Sequence, residues 1–197
     1  MKVIKFEYFS NYSVENNKIF YDSCSDFGAW SRIYEYPYVF NFIKDSFKDN
    51  QKIHNTCWGL DNIKCHTRFK DIMEENFYIE NIVNSDIKRS NLKNTVIYDI
   101  TKENNQYKEY FDYVINISAI EEINFDHLKI IKNLYMQVKK NGYLILTFDL
   151  PGLQLGKIED FLKAKIGNKK IKLNGSNSMV KNTKYSHLNC GVLIIQK

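Results

Sequence analysis

No run of apolar residues in this chain approaches the roughly 18 that a membrane-spanning helix requires. The opening Met1 to Lys5 passes into Phe-Glu-Tyr instead of the apolar centre of a secretion signal, so no targeting helix is expected. Cysteine is sparse: Cys24, Cys57, Cys65 and Cys190 stand without regular spacing. That argues against a disulfide framework and points to a reduced, cytoplasmic protein. The set His54, Cys57, Cys65 and His66 lacks paired C-x-x-C spacing, so these residues read as packing positions and no metal is expected. The net charge is only +5, and Lys, Asn and Ile recur along the whole chain without gathering in one basic stretch. Charge alone therefore gives weak support to a nucleic-acid partner.

What is present is enough apolar material for one core: 197 residues, 44% hydrophobic and 15% aromatic, the size of a single domain. Residues 1–50 are dense in Tyr, Phe and Trp and contain one proline, Pro37. Within them Ile33, Tyr36, Phe40, Ile43 and Phe47 recur at steps of three and four, which predicts a helix over 31–47 with a break near Pro37. Residues 1–50 then read as an aromatic-rich helical cap on a core formed by 51–197. Arg32 and Glu35, three apart, are expected to pair on that helix's surface.

Beyond residue 50 strands alternate with helices. Short strands are predicted at 53–56, 81–85, 95–98, 113–117 and 143–148. Helices are predicted at 63–77 and 128–138, the latter stopped by Asn141-Gly142. Such alternation implies right-handed crossovers and a mostly parallel sheet. After Pro151-Gly152 come a helix at 157–166 and two strand-like runs, 171–173 and 190–196, which should pair antiparallel. The ends of the strands are polar. Asn55, Asp86, Asp99, Ser118 and the pair Glu121, Glu122 each follow one, and in an open parallel sheet ligands bind outside those carboxyl ends.

The segments "IHNTCWGLDN", "NIVNSDI", "VIYDIT", "FDYVINISAIEEI" and "KKNGYLILTFDLPG", in this order over about residues 50–197, resemble the strand ends of class I S-adenosylmethionine-dependent methyltransferases. There is a fainter likeness to small bacterial members associated with surface-polysaccharide synthesis. The resemblance implies a Rossmann-like, seven-stranded, mostly parallel sheet with a C-terminal antiparallel hairpin and helices on both faces. It also implies S-adenosyl-L-methionine as cofactor and methyl transfer to the oxygen of a small molecule or glycan precursor. Members carry an acid and two or three glycines in the first turn; here those positions read Asn55, Cys57, Gly59 and Asp61, and only Gly59 keeps the pattern.

Under that resemblance Asn55, Cys57, Gly59 and the backbone up to Asn62 would bound the cofactor. Asp86 would accept from the ribose hydroxyls or else cap a turn. Asp99 would lie beside the adenine or merely close "YDITKE". Glu121 or Glu122 would take a proton from the acceptor, Glu121 being the nearer to its strand, or both would cap a helix start. Ser118 would border the cofactor or cap. Trp30, Tyr34, Tyr36 and Tyr38 would form a lid or core, and Lys163, Lys165, Lys169, Lys170 and Lys172 a solvated face or a phosphate-binding one. Two other readings stay open: an interaction subunit that has lost the cofactor, and a nucleic-acid methyltransferase. Asn116-Ile117-Ser118-Ala119 stands where the latter would show Asn-Pro-Pro-Tyr.

Overall fold

The structure, a computed structural model, describes residues 1–9, 20, 31–59, 64–90, 95–149, 152–167, 173 and 190–197. One sheet of seven strands runs through the described residues: β1 (Lys2–Tyr8), β2 (Ile53–Thr56), β3 (Ile82–Asp86), β4 (Thr95–Ile97), β5 (Phe111–Ile117), β6 (Val138–Asp149) and β7 (Cys190–Gln196). Its order is β1-β7-β6-β5-β2-β3-β4. The strands from β6 to β4 are parallel, and β7 is antiparallel to both of its neighbours, β6 and β1. The helices α1 (Arg32–Ser46), α2 (Lys64–Phe77), α3 (His127–Gln137) and α4 (Leu155–Ile166) cover its faces.

Period-two alternation sorts the core into two layers. Tyr113, Ile115 and Ile117 of β5, with Val192 and Ile194 of β7, join the cluster of Ile33, Val39 and Ile43 from α1 and Phe69, Met73 and Phe77 from α2. Val114, Leu144, Leu146, Leu193 and Ile195 turn to the other face, against Ile130, Ile131 and Leu134 of α3 and Ile158 and Leu162 of α4. Burial on both faces is why the central strands read as continuous apolar runs.

Several expectations are corrected. Helix α1 runs unbroken through Pro37, although the ring removes one hydrogen bond at a typical cost of about 3 kcal/mol; burial of Ile33, Tyr34, Tyr36, Val39 and Ile43 offsets it. The segment read as a helical cap also supplies a strand, β1, which pairs with β7 in the place expected for a partner from 171–173. Residues 171 and 172 lie outside the described set, as do Trp30, Asp61, Asn62, Pro151, Lys169 and Lys170; Leu173 sits in a bend. Strand β4 forms one edge of the sheet, where Val96 and Ile97 are exposed. Cys65 is disulfide-bonded, unlike the free Cys57 and Cys190.

The helix before β6 stops at Gln137, four residues ahead of Asn141-Gly142. Those two residues instead make an irregularity at the start of β6, where the pairing jumps from Val138 opposite Phe111 to Tyr143 opposite Tyr113. Asn141 takes φ 67°, the left-handed conformation that Asn tolerates. A Cβ on Gly142 would lie 2.5 Å from the backbone oxygen of Asp112. Gly142→Ala is therefore expected to destabilise the fold by about 1–3 kcal/mol, measured by chemical denaturation.

Candidate active site

The chain leaves β2 for β3 and β4 on one side and returns to β5 on the other, so β2 and β5 flank the point where strand order reverses. In open sheets such a point opens a crevice at the carboxyl ends of the strands. A cleft of about 400 Å³ lies there. Its wall is Asn55 within β2 and Cys57, Trp58 and Gly59 after it; Asp86 ends β3; Ile117 ends β5, and Ser118, Ala119 and Glu122 follow it. Arg32 and Tyr36 of α1 and His66 and Phe69 of α2 complete it.

The turn after β2 combines a left-handed non-glycine residue with one glycine. Cys57 adopts φ 51°, Gly59 φ 105°, and Trp58 N–H donates to the Ser85 carbonyl at 3.3 Å. A side chain on Gly59 would meet both a disfavoured φ and His66, whose Nδ1 stands where a Cβ would go. Asp86 ties the turn to β3: one carboxylate oxygen accepts from Gly59 N–H at 3.3 Å, the other from Lys88 N–H at 3.0 Å. Asn55 is buried, its amide donating to Asn84 Oδ1 at 2.9 Å.

On the other side α1 is pinned to the loop after β5. Arg32 donates to Glu35 at 2.5 Å and to the Ser118 carbonyl at 3.1 Å. Ser118 Oγ donates to Glu35, and Ser118 itself sits at φ 39°. Glu35 is fully buried, so the expected pair exists but lies inside the protein, not on the helix surface. Burial opposes the charge on Arg32, yet Glu35 foremost, with Tyr36 and Asp149, together outweigh it and hold the guanidinium above its ordinary pKa.

Beside this pair are two carboxyl groups with little positive charge to share. Glu121 accepts Asp149 N–H at 2.6 Å, while its Oε2 and Asp149 Oδ1 are buried without partners. Burial first, and neighbouring carboxylates including Glu35 second, push both up to about 7; the Asp149 backbone N–H eases Glu121, and Arg32 eases Asp149. His66 is lowered to about 4 by burial and then by Arg32. Burial raises Cys57 to about 12, which keeps it a thiol.

Of the residues singled out from the sequence, Asn55, Cys57, Gly59, Asp86, Ser118 and Glu122 meet in one cleft. Glu121 points instead to Asp149. Asp99 stands outside the lining, where it accepts from Thr101 N–H at 3.0 Å and from Thr101 Oγ at 2.6 Å; those bonds lower its pKa. Tyr36 reaches the cleft, whereas Tyr34 is core. Sequence reasoning missed Trp58, His66, Glu35 as a buried group, and Asp149. The last had a signal, since "TFDLPG" places an acid at a strand end like the others.

Comparison with protein-family models and with curated protein sequences gives no match. Solved structures do match. A SAM-dependent methyltransferase from Archaeoglobus fulgidus aligns with a TM-score of 0.54 at 14% identity, over 82% of this chain and 92% of that one. The 1,6-didemethyltoxoflavin-N1-methyltransferase of Burkholderia thailandensis, solved with S-adenosylhomocysteine, aligns at 0.57 and 9% identity, over 93% and 87%. The fold is that of the class I methyltransferases. Phosphoethanolamine N-methyltransferase 2 of Haemonchus contortus aligns at 0.54 and 11% identity over 96% of this chain, which spans 58% of that longer protein.

The raised carboxyl groups give this methyltransferase fold a testable pH response. Glu121 binds its proton more tightly folded than unfolded between about pH 4.5 and 7, so its contribution to stability is present at low pH and lost as pH rises through 7. His54 and His66, lowered to about 4 chiefly by burial, act oppositely: their contribution is lost as pH falls from 6.5 toward 4. A mutant-minus-wild-type difference isolates the first effect. Glu121→Gln should gain on the wild type as pH rises from 5 to 8, by up to about 1.4 kcal/mol per pH unit, in urea denaturation at each pH.

Proposed function

We propose that this chain is an S-adenosylmethionine-dependent methyltransferase that acts on the hydroxyl oxygen of a small-molecule acceptor. The observation that carries the reading is the meeting, in one cleft at the reversal of strand order, of Asp86, the Gly59 turn and the loop after β5. A volume of about 400 Å³ falls in the range of small-molecule sites. The residues fit the cofactor. Each Asp86 oxygen accepts one backbone N–H and, as a carboxylate oxygen, keeps a second lone pair for a ribose hydroxyl. Trp58 Nε1 is a buried donor without a partner.

When bound, S-adenosylmethionine supplies a methyl group on a sulfonium. The protein's part is then to hold the acceptor in line and accept its proton. Glu122 is the carboxylate of the β5 loop that borders the cleft, and it takes that role in this reading, with Glu121 supporting the loop through Asp149. Asp99 takes no part in it.

Calorimetry with S-adenosylmethionine and S-adenosylhomocysteine tests the proposal. Binding should be measurable and should weaken about tenfold or more in Asp86→Ala, in keeping with the loss of hydrogen bonds to a charged group. A folded protein that gives no heat at millimolar ligand would remove the reading and favour an interaction subunit. Once an acceptor is in hand, Glu122→Gln should lower kcat by about 10²- to 10⁴-fold with little change in cofactor affinity.

A further inference from the structure

We propose that Lys70 and Glu74 of α2 and Asn84 of β3 are positioning residues, a one-way chain of hydrogen bonds that turns the amide of Asn55 so that it meets the ligand as an acceptor. Lys70 Nζ donates to Glu74 Oε2 at 2.7 Å, Asn84 Nδ2 donates to Glu74 Oε1 at 2.8 Å, and Asn55 Nδ2 donates to Asn84 Oδ1 at 2.9 Å. Lys70 is 5% exposed, Asn84 0% and Asn55 2%, so water hardly competes for these bonds. The chain crosses from α2 over β3 to β2, where Asn55 and Asn84 stand opposite each other in the parallel register. It ends at the cleft, which Asn55 lines.

The two ends of an amide have nearly the same shape, and only its partners choose between them. Here the choice is made in α2. The ammonium of Lys70 can only donate and the carboxylate of Glu74 can only accept, so the NH2 end of Asn84 must face Glu74 and its oxygen must face Asn55. Asn55 then gives its own NH2 to Asn84. Its Oδ1 accepts from no group among the described residues and is the end left for the cleft. A carboxylate at position 55 would break this order, because Asn84 would have to turn its NH2 to both sides at once. Glu74 and an acid at position 55 therefore exclude each other, which gives a physical reason for Asn where the methyltransferase pattern has an acid. The wall keeps an acceptor for a ligand N–H or O–H without a second buried carboxylate.

The polarity can be reversed without removing a bond. In Glu74→Gln, Lys70 claims the new carbonyl oxygen, the new NH2 takes Asn84 Oδ1, and Asn84 and Asn55 both turn over, so that an NH2 faces the cleft. In Glu74→Gln/Asn84→Asp the carboxylate has moved one place along the chain, again accepts from Asn55, and restores the original direction. The inference rests on the methyltransferase reading for the choice of ligand alone, and S-adenosylhomocysteine is the probe. Calorimetry should show its affinity falling about tenfold or more in Glu74→Gln, with a melting temperature close to that of the wild type, and returning in the double variant. A residue that merely supported the fold would not be rescued by a second change of this kind. In parallel, ¹H–¹⁵N NMR follows exchange with water of the Asn55 side-chain amide, assigned through correlations from its own backbone: exchange should be slow in the wild type, faster in Glu74→Gln and slow again in the double variant. Unchanged exchange in Glu74→Gln, or affinity that stays low in the double variant, overturns the relay. Should Glu74→Gln not fold, the double variant still decides, since affinity like that of the wild type supports the relay and lost affinity overturns it. Should S-adenosylhomocysteine not bind the wild type, the methyltransferase reading fails, and the exchange measurement, made on the ligand-free protein, still decides the relay.

Discussion

One buried ion pair organises the functional end of this molecule. Glu35 has no exposed surface and is held by Arg32 and by Ser118 Oγ, while Arg32 also grips the Ser118 carbonyl. A charge so placed is costly unless its partners are complete, and removing one partner of such a pair typically costs about 3–5 kcal/mol. The set is therefore cooperative. It fixes the first turn of α1 over the loop after β5, which sets where Tyr36 roofs the cleft, and it keeps Ser118 in a left-handed conformation that a non-glycine residue holds only under constraint.

The centre of the sheet is polar in a way that serves the same end. His54 is buried between Gln137 Oε1 at 2.7 Å and Ser85 Oγ at 2.8 Å, and Gln137 donates onward to Tyr98 at 2.9 Å. Asn116 donates to Thr56, which donates to the Ile115 carbonyl. These bonds tie β2, β3 and β5 together at the ends where the cleft begins. Hydrogen-bonded networks of this kind rigidify, so the turn after β2 rests on a stiff base.

The sequence made the parallel core legible because strands buried on both faces leave uninterrupted apolar runs, as in "YVINI" and "YLILTF". It was poorer at the edges. In "KVIKFEY" an edge strand alternates charge with apolar residues inside an aromatic-rich region, so its strand character was hidden. Asn141-Gly142 signals a left-handed turn, but that signal does not say whether a helix ends there or a strand bends. In the site, strand-end acids located the cleft, yet nothing in the spelling of Glu121-Glu122 tells which side chain faces it. The burial of Glu35 depends on a contact 83 residues away in Ser118 and leaves no local trace.

The sheet's outer strand carries a consequence for how the protein is made. β1 precedes the other described strands in the chain and its sheet partner β7 follows them, with Lys2 opposite Gln196 and Tyr8 opposite Gly191. β7 is also the link through which β1 joins β6 and the parallel strands. During synthesis β1 therefore waits with its backbone groups unpaired and Val3 and Phe6 in water, while the segments that build the parallel strands emerge. Final closure of the sheet is a late, long-range event, of the kind that is slow because a large loop must close before the contacts that reward it can form.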